Sequence, residues 1–457
     1  MNVTACYPKV KYRSKSSGSV SNAGMVLLTE TARVLGLVEA LAVELDGFAL
    51  PTAVHLPGKA VCDLAVMLAA GGDCPADVVM LRARPHLFGK VASDPTISRI
   101  IDDLACDDAT ATAGIAAARA HARAAAGRLP GGALPEVGAR LIVDLDATLG
   151  ASQSEKELAA PNYKRGFDFH PILAFADHGT AGTGAPLAAI LRPGNAGSNT
   201  ATDHIAVTEL ALGQLDSRQQ GRVLVRSDSA GGTKAFTHYL TDEKLAYSVG
   251  FPGFLAHLKA AIDTLEEDAW VPAIEAGGDL RDGAWVAEIT TLLDLHDWPA
   301  GMRVIARKER PHPGAQLTLT DVDGHRVTCF ATNDPSPDLP ALEVRHRQRA
   351  RCEDRIKDAK DTGLTNLPYA DAASNAIWLQ VVLLAMDLTA WAQQLALTGA
   401  WRVAQPKTLR LKLFATAARY VNAARRRIID LDPDWPWAST VLDALTQLAG
   451  LPRLVPG

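Results

Sequence analysis

The stretch from Arg345 to Lys360, RHRQRARCEDRIKDAK, places an acid among bases at regular spacing. Four of its side chains follow at steps of three, four and seven residues: His346, Arg349, Glu353 and Lys360. At 100° per residue these four project within an arc of about 60° on one side of a helix. An acid gathered among bases on one face is typical of a site that handles metal and phosphate. A solvated surface helix with internal ion pairs is the alternative.

Two acidic positions upstream could complete such a site. Asp144 and Asp146 lie two residues apart in the apolar segment Ala139–Asp146, so they share one face of a predicted strand. Asp228 directly follows a second apolar segment, Arg222–Ser227. The carboxyl ends of strands are common places for ligand chemistry in α/β folds. A turn or capping role is the alternative for each of these aspartates.

Three carboxylates, from Asp146, Asp228 and Glu353, predict a site for a hard divalent cation, Mg²⁺ or Mn²⁺. Two such ions about 4 Å apart can activate a water or a 3′-hydroxyl and stabilise the leaving oxygen of a phosphodiester. A sugar hydrolase with paired carboxylates is a competing class. The bases beside Glu353, which are Arg349 and Lys360, favour phosphate over sugar.

The composition is that of a globular protein with more than one domain. The chain has 457 residues, of which 48% are hydrophobic and 21% are charged. The formal net charge of −5 does not indicate nucleic acid, but the bases are unevenly placed. They form an N-terminal arm with Lys9, Lys11, Arg13 and Lys15, and a C-terminal stretch with Lys407, Arg410, Lys412, Arg419 and Arg425 to Arg427.

Cysteine usage and hydropathy favour a reduced, cytoplasmic protein. The six cysteines include no CxxC pair, which argues against a zinc ribbon and gives no support to a disulfide framework. No signal-peptide pattern follows the basic N-terminus. The apolar run from Ile377 to Leu388 is too short to span a bilayer and contains Gln380 and Asp387, so we expect no membrane segment.

The order of the elements predicts an α/β fold. Helices dominate residues 1–135, and residues 136–251 alternate between apolar strand patterns and helices. This order predicts a mixed sheet flanked by helices, with its first three strands in an antiparallel meander. The remaining chain is predicted to form a β-rich insertion at 252–340, the helix that carries Glu353 within 341–370, and a helical, basic region at 371–457.

The order Asp, Asp, Glu resembles bacterial insertion-sequence transposases of the DDE class. One branch of that class marks its Glu helix with Tyr-x2-Arg-x3-Glu-x6-Lys. This chain has His346-x2-Arg349-x3-Glu353-x6-Lys360, which matches at three of the four positions. Asp146 is followed two residues later by Thr, as in that branch, and is therefore preferred over Asp144. The phrases NYKRGFDFHPILAF, LRPGNAGSNT and ERPHPGAQL also resemble this group, which we identify as the insertion-sequence 1380 type.

The resemblance implies a ribonuclease H-like catalytic core made of residues 136–251 and 341–370. Its metal ligands would be Asp146, Asp228 and Glu353, which would hold Mg²⁺ or Mn²⁺, as two ions. Asp144 is an alternative ligand or a supporting residue. DNA would be bound by His346, Arg349 and Lys360: the arginine and lysine would hold a phosphate, and His346 would contact the same strand or act as a structural hydrogen-bonding residue.

The resemblance also implies a reaction and its partners. The protein would cut double-stranded DNA at the element's terminal inverted repeats and transfer the freed end to target DNA. Residues 1–135 would bind the element end, residues 371–457 would contact DNA or mediate dimerisation, and pairing of two ends would require a homodimer. A nuclease of the same fold without strand transfer and a non-catalytic DNA-binding relative are the alternatives.

Overall fold

The computed structural model describes residues 18–136, 140–152, 154–162, 164–252, 255–311, 321–322, 324–423 and 426–452. The basic arm from Lys9 to Lys15 lies outside these residues, as does Arg425. The helices are α1 (Val26–Val34), α2 (Leu37–Glu44), α3 (Pro57–Ala69), α4 (Val79–Arg82), α5 (Pro85–Phe88), α6 (Asp94–Ala105), α7 (Asp108–Gly127), α8 (Ala201–Leu212), α9 (Ser217–Gln220), α10 (Lys234–Asp242), α11 (Leu255–Asp263), α12 (Leu339–Arg347), α13 (Arg351–Ala359), α14 (Ala372–Ala396), α15 (Pro406–Leu409) and α16 (Ala438–Gly450).

The strands are β1 (Ser19–Val20), β2 (Leu141–Ala147), β3 (Gly150–Ala151), β4 (Ala160–Pro161), β5 (Phe167–Phe169), β6 (Ile172–Ala176), β7 (Ala185–Ile190), β8 (Val223–Ser227), β9 (Ala246–Gly250), β10 (Val271–Ile274), β11 (Leu280–Glu288), β12 (Arg303–Glu309), β13 (Asp321–Val322), β14 (His325–Thr332), β15 (Ala418–Ala423) and β16 (Arg426–Leu431). The cysteines within the described residues are all free.

The N-terminal region is helical, as the sequence predicts, and it packs around α14. Helix α7 is rich in alanine and begins where the Asp107 carboxylate accepts a hydrogen bond from the Thr110 amide at 3.2 Å. Helices α1, α3, α6 and α7 all contact α14. By length and composition α14 could cross a membrane, but 83% of its most apolar window is buried inside the protein. It is therefore the central core helix of this region.

One mixed sheet runs through the protein in the order β10-β11-β12-β14-β9-β8-β2-β6-β7, and β13 pairs with β14. Strands β2, β6 and β7 form the predicted antiparallel meander. Strand β8 lies parallel to β2, and β9 lies parallel to β8. Helices α8 and α10 share a core with one face of the sheet, and α13 and α14 share a core with the other. The prediction of a mixed sheet flanked by helices is confirmed.

Residues 252–340 are rich in strands, as predicted, but these strands are part of the central sheet. Strand β14 pairs antiparallel with β9, with Phe330 opposite Gly250 and Thr332 opposite Ser248. Without β14, one side of β9 would present unpaired backbone groups. The sequence pattern identifies strands in this segment but not the strand that they join, so the expected insertion is correct in composition and incomplete in architecture.

The prediction that residues 371–457 are wholly helical is wrong. Strands β15 and β16 form an antiparallel hairpin, and β1 adds a third strand, with Ser19 opposite Arg419. Tyr420 lies opposite Ile429 on the hairpin, a pair of residue types that favours strands. The prediction failed because the partner β1 lies at the other end of the chain, where a local pattern cannot reveal it.

A buried ion-pair network joins α7 and α14 to the outermost strand of the sheet. Asp387 in α14 accepts hydrogen bonds from Arg119 and Arg123 in α7, both at 2.8 Å. The two guanidinium groups also donate to the carbonyls of Pro186 and Leu187 in β7. The three charged side chains are at most 4% exposed. Each charge therefore depends on its partners, and the carbonyls of an edge strand are satisfied by side chains.

His178, just after β6, is buried beside two arginines. It is 2% exposed, and its Nε2 has no hydrogen-bond partner among the described residues. Burial, followed by the charges of Arg355 and Arg123, lowers the pKa of His178 to about 3. The imidazole is therefore neutral in the folded protein at physiological pH.

Replacing Asp387 by alanine should lower the free energy of unfolding by about 3–5 kcal/mol, because two buried guanidinium groups lose their acid. Urea denaturation measures this change. Asp263→Ala is the control, since it removes one partner of the half-exposed pair Lys259–Asp263 and should cost less than about 1 kcal/mol. Equal losses in the two variants would contradict a structural role for the buried network.

Acid should destabilise the protein partly through His178. At pH values between about 3 and 6.5, His178 binds a proton in the unfolded chain but stays neutral in the folded protein. The free energy of unfolding therefore falls as the pH is lowered through this range, by at most about 1.4 kcal/mol per pH unit for this group. Urea denaturation at two pH values within this range should show a smaller loss for His178→Gln than for wild type. Identical losses would show that the imidazole is not held neutral.

Candidate active site

The register of the central sheet places two of the predicted acids side by side. In the parallel pair of β2 and β8, Asp144 lies opposite Arg226 and Leu145 lies opposite Ser227. The next step along both strands brings Asp146 next to Asp228, at the carboxyl ends of the strands. Asp146 lies on the face of the sheet that packs against α13, and its side chain is 18% exposed.

Asp228 also caps the turn that follows β8. Its Oδ1 accepts a hydrogen bond from the Ala230 amide at 3.0 Å, at the start of the 3₁₀ turn Ser229–Gly231. This is the turn role that the sequence left open. Capping does not exclude metal binding, because a carboxylate has about four lone-pair positions and the amide uses one. The cap fixes the orientation of the carboxylate at the end of the strand.

The helix that carries Glu353 is not one continuous α-helix. Between α12 and α13 a 3₁₀ turn spans Gln348–Ala350, and a π-helical turn, Lys360–Leu364, follows α13. A 3₁₀ turn rotates each residue by about 120°, which changes the angle between His346 and Glu353. The prediction that all four side chains share one face is therefore wrong: His346 lies against the sheet and Glu353 is exposed.

His346 is held by contacts within the protein. Its Nδ1 lies 2.9 Å from the Ser248 hydroxyl in β9, and its ring stacks on Phe330 with centroids 4.5 Å apart. Burial, followed by the charges of Arg226 and Arg349, lowers the pKa of His346 to about 3. Of the two roles left open by the sequence, these contacts supply the structural one, and a DNA contact by His346 stays a prediction.

Arg349 and the three predicted acids form one electrostatic unit. Arg349 Nη1 lies 3.6 Å from Asp146 Oδ2. Burial raises the pKa of Asp146 to about 6; Arg349 opposes this rise, whereas Asp228 and Glu353 add to it. Asp146 therefore lies within electrostatic range of both other acids. Negative charge concentrated around a mostly buried carboxylate favours the binding of a cation.

The carboxylates of Asp146, Asp228 and Glu353 match a hard cation in chemistry but do not yet surround one position. Among the described residues, only one group of three candidate ligands has its atoms all within 4.8 Å: Asp73, Cys74 and Asp77. That group is a turn in which Asp77 Oδ2 accepts hydrogen bonds from the amides of the other two. Metal binding at the predicted acids would require their carboxylate oxygens to approach one another.

Lys360 lies two helical turns beyond Glu353, about 10 Å along the helix axis. It is half-buried at the end of α13 and makes no ion pair within 4 Å with a described residue. The structure thus brings together Arg349 and the three acids, and it places Lys360 at the periphery of the site.

The main residue that the sequence analysis missed is Arg226, in the middle of β8. Its guanidinium group contacts both oxygens of Asp144, at 2.6 and 2.8 Å, and donates to Asp177 Oδ2 at 2.9 Å. It also donates to the Arg345 carbonyl in α12 at 2.6 Å. Burial alone would lower the pKa of Arg226, but the two acids raise it above its ordinary value. An arginine within the apolar segment RVLVRS was the available signal, since a buried arginine requires an acid partner.

Asp177 extends this network to the helix that carries Glu353. Arg351, in the first turn of α13, donates to Asp177 Oδ2 at 2.7 Å. Because Arg226 occupies both oxygens of Asp144, Asp146 is the acid of β2 that remains available to a ligand. The preference for Asp146 over Asp144 therefore has a structural reason.

A cavity of about 360 Å³ lies beside one of the three predicted acids, Asp228. Its walls include Asp228, Arg307, His346, Arg347 and Arg349. Glu343 neutralises part of the positive charge by pairing with two of these arginines, at 3.1 Å each. A cavity with several guanidinium groups next to carboxylates can hold a phosphate close to a cation site.

Replacing Arg226 by methionine should lower the free energy of unfolding by about 3–5 kcal/mol, because Asp144 and Asp177 would remain buried without their shared partner. Chemical denaturation measures the loss. The matched control is Arg222→Met, just before the same strand. Arg222 pairs with Glu136, and each of these two side chains is 38% exposed. This ion pair should therefore contribute at most about 1 kcal/mol to the free energy of unfolding. Adding Asp144→Leu to Arg226→Met should recover part of the loss, and no recovery would contradict this explanation.

The family described as "Transposase DDE domain group 1" matches residues 4–453 of the chain. Among solved structures, the cryo-EM structure of the piggyBac transposase synaptic complex with hairpin DNA is similar with a TM-score of 0.39 and 10% sequence identity, over 97% of this chain and 89% of that one. This likeness is too low to define a shared fold. No curated protein matches the sequence. Because the family match covers nearly the whole chain, the protein belongs to the DDE transposase domain group 1 family.

Proposed function

We propose that the protein is a DNA transposase that cuts an insertion sequence at its terminal inverted repeats and transfers the freed strand to target DNA. The observation that carries the proposal is that Asp146, near the end of β2, and Asp228, one residue past the end of β8, lie at adjoining ends of paired parallel strands, with Glu353 in electrostatic range of Asp146. The spacing of Arg349, Glu353 and Lys360 supports the narrower assignment to the insertion-sequence 1380 type.

We assign the core to the ribonuclease H-like type on its strand order. Counted along the chain, the five core strands lie side by side as β7-β6-β2-β8-β9. The first strand, β2, is central. On one side β6 pairs antiparallel with β2, and β7 pairs antiparallel with β6; on the other side β8 pairs parallel with β2, and β9 pairs parallel with β8. This order supports the assignment because it puts the first and fourth strands, which carry the first two acids of the class, in direct contact.

In this proposal Asp146, Asp228 and Glu353 hold Mg²⁺ or Mn²⁺, as two ions. Ions of this kind activate a water or a 3′-hydroxyl and stabilise the leaving oxygen of a phosphodiester. The protein supplies position and charge. Arg226 fixes β2 against β8, and together with Arg351 it holds the Glu353 helix against the sheet.

The bases of the helix contact DNA in this proposal. The Arg349 guanidinium binds a phosphate through two hydrogen bonds, and Lys360 adds a point charge further along the strand. The N-terminal helical region binds the element end, and two copies of the chain assemble on a pair of ends. After cleavage, the 3′-hydroxyl attacks either the opposite strand, which gives a hairpin, or target DNA.

Glu353→Gln should reduce metal-dependent cleavage of a duplex carrying the element's inverted repeat by about a hundredfold or more, because it removes a carboxylate ligand. Asp354→Asn is the matched control: the neighbouring acid is equally exposed on α13 and should change the rate by less than about threefold. Asp146→Asn should behave like Glu353→Gln. DNA affinity of all three variants should equal or exceed that of wild type, since each loses a negative charge. Normal cleavage by Asp146→Asn or Glu353→Gln would refute the assignment of the site.

A pre-cut duplex with a free 3′-hydroxyl separates a transposase from a nuclease of the same fold. The wild-type protein should join this end to a second DNA in the presence of Mg²⁺. Hydrolysis of intact ends without joining would favour the nuclease, and absence of both reactions would favour a non-catalytic DNA-binding relative.

A further inference from the structure

One small sheet joins β1, near the start of the described chain, to the hairpin of β15 and β16, near its end. Strand β1 pairs with β15, and β15 pairs with β16. This sheet packs next to the short helix α5 and the residues just before it, where the His86 ring lies against the Tyr420 ring. Segments from both ends of the sequence therefore contribute to one surface.

A groove of about 650 Å³ lies between this sheet and helix α5 with the residues just before it. Its lining includes Arg84, His86, Arg419 and Tyr420, and no acidic residue is among the described residues that line it. The chain as a whole has a net charge of −5. The groove is therefore positively charged although the chain as a whole is negatively charged. Its charge is complementary to that of a polyanion.

The arginines of the groove form no ion pair with an acid among the described residues. Arg84 donates to the Ser21 hydroxyl at 2.5 Å and to the Ala83 carbonyl at 3.1 Å, and its buried Nε has no partner among the described residues. Arg419 is exposed. Asp430 lies opposite Arg419 in the hairpin register, but no ion pair within 4 Å joins them. In contrast, Arg222 and Arg303 are paired with acids at 2.5 and 2.6 Å.

An aromatic pair forms one wall of the groove. The rings of His86 and Tyr420 are stacked, with centroids 4.4 Å apart and planes inclined by 13°. His86 is exposed and Tyr420 is half-buried. A flat, polar-tipped surface next to guanidinium groups suits the sugar-phosphate backbone of a nucleic acid, where arginine and tyrosine side chains supply hydrogen bonds to phosphate.

We infer that this groove binds the backbone of duplex DNA, and that both ends of the chain thereby hold the DNA at a surface separate from the acidic site. The identity of that DNA as the element end rests on the proposed function. The groove does not read sequence in this inference, because guanidinium groups that contact phosphate position a protein on DNA without distinguishing bases.

Arg419→Glu tests the inference, with Arg218→Glu as the matched control, since Arg218 is an exposed arginine on α9 outside the groove. Fluorescence anisotropy of the full chain would use two probes: a duplex of the inverted repeat and a duplex of scrambled sequence. Arg419→Glu should raise Kd at least about tenfold for both duplexes and lower the slope of log Kd against log salt by about 1. Arg419→Lys should stay close to wild type, and so should Arg218→Glu. Unchanged thermal melting of Arg419→Glu shows that the hairpin is folded.

Unchanged affinity in Arg419→Glu would overturn the inference, whatever the cleavage assays give. Conversion of a wild-type dimer into a monomer, with DNA affinity per monomer unchanged, would also overturn it and would identify the groove as a contact between copies of the chain. Loss of binding to both duplexes supports the groove as a DNA surface even if wild type fails to cleave. A failure of cleavage in wild type would instead count against the proposed function.

Discussion

Arg226 carries a buried positive charge between two parallel strands, and the elements of the candidate site are fixed relative to it. Removing an ion from water costs several kcal/mol unless its partners compensate at hydrogen-bond distance. Here the partners are Asp144 on β2, Asp177 after β6 and the Arg345 carbonyl on α12. A shift of any of these elements would break a contact with the guanidinium group and expose an uncompensated charge. The network thus sets the relative positions of the strands and the helix before any ligand is bound, and Asp146 and Asp228 follow two residues beyond Asp144 and Arg226 along the chain.

The same strand gives two aspartates different properties through their depth and their partners. Asp144 is 2% exposed and is paired through both oxygens, whereas Asp146 lies at the end of the strand with only Arg349 as a counter-charge, at 3.6 Å. The pKa of Asp146 is raised to about 6 by burial and by the acids around it. A carboxylate in that condition is stabilised by additional positive charge. Burial raises the pKa of Asp144 as well, but Arg226 already occupies both of its oxygens. An Asp-x-Asp pair at the end of a strand therefore combines a structural acid with an available one.

Local sequence patterns were sufficient for the core strands and for α14, because each depends on hydrophobic periodicity within a few residues. They failed where a contact joins distant segments. The 3₁₀ turn at Gln348–Ala350 depends on how the helix meets the sheet, and the pairing of β1 with β15 joins opposite ends of the chain. Arg226 was visible as an unusual residue in an apolar strand, but its partner Asp177 lies 49 positions away. A pattern could show that a partner is needed without showing which one.

Arg349 connects the structural and chemical parts of the site. It lies in the 3₁₀ turn between α12 and α13, so its position depends on the same helix that Arg226 and Arg351 hold against the sheet. It lowers the electrostatic cost of the acids by its contact with Asp146. Under the proposed function, cations bound by the three carboxylates would replace Arg349 as the counter-charge of Asp146. The Arg349 guanidinium would then be available to bind a phosphate. Charge balance, set by the network behind the site, thus links metal binding to DNA contact under the proposed function.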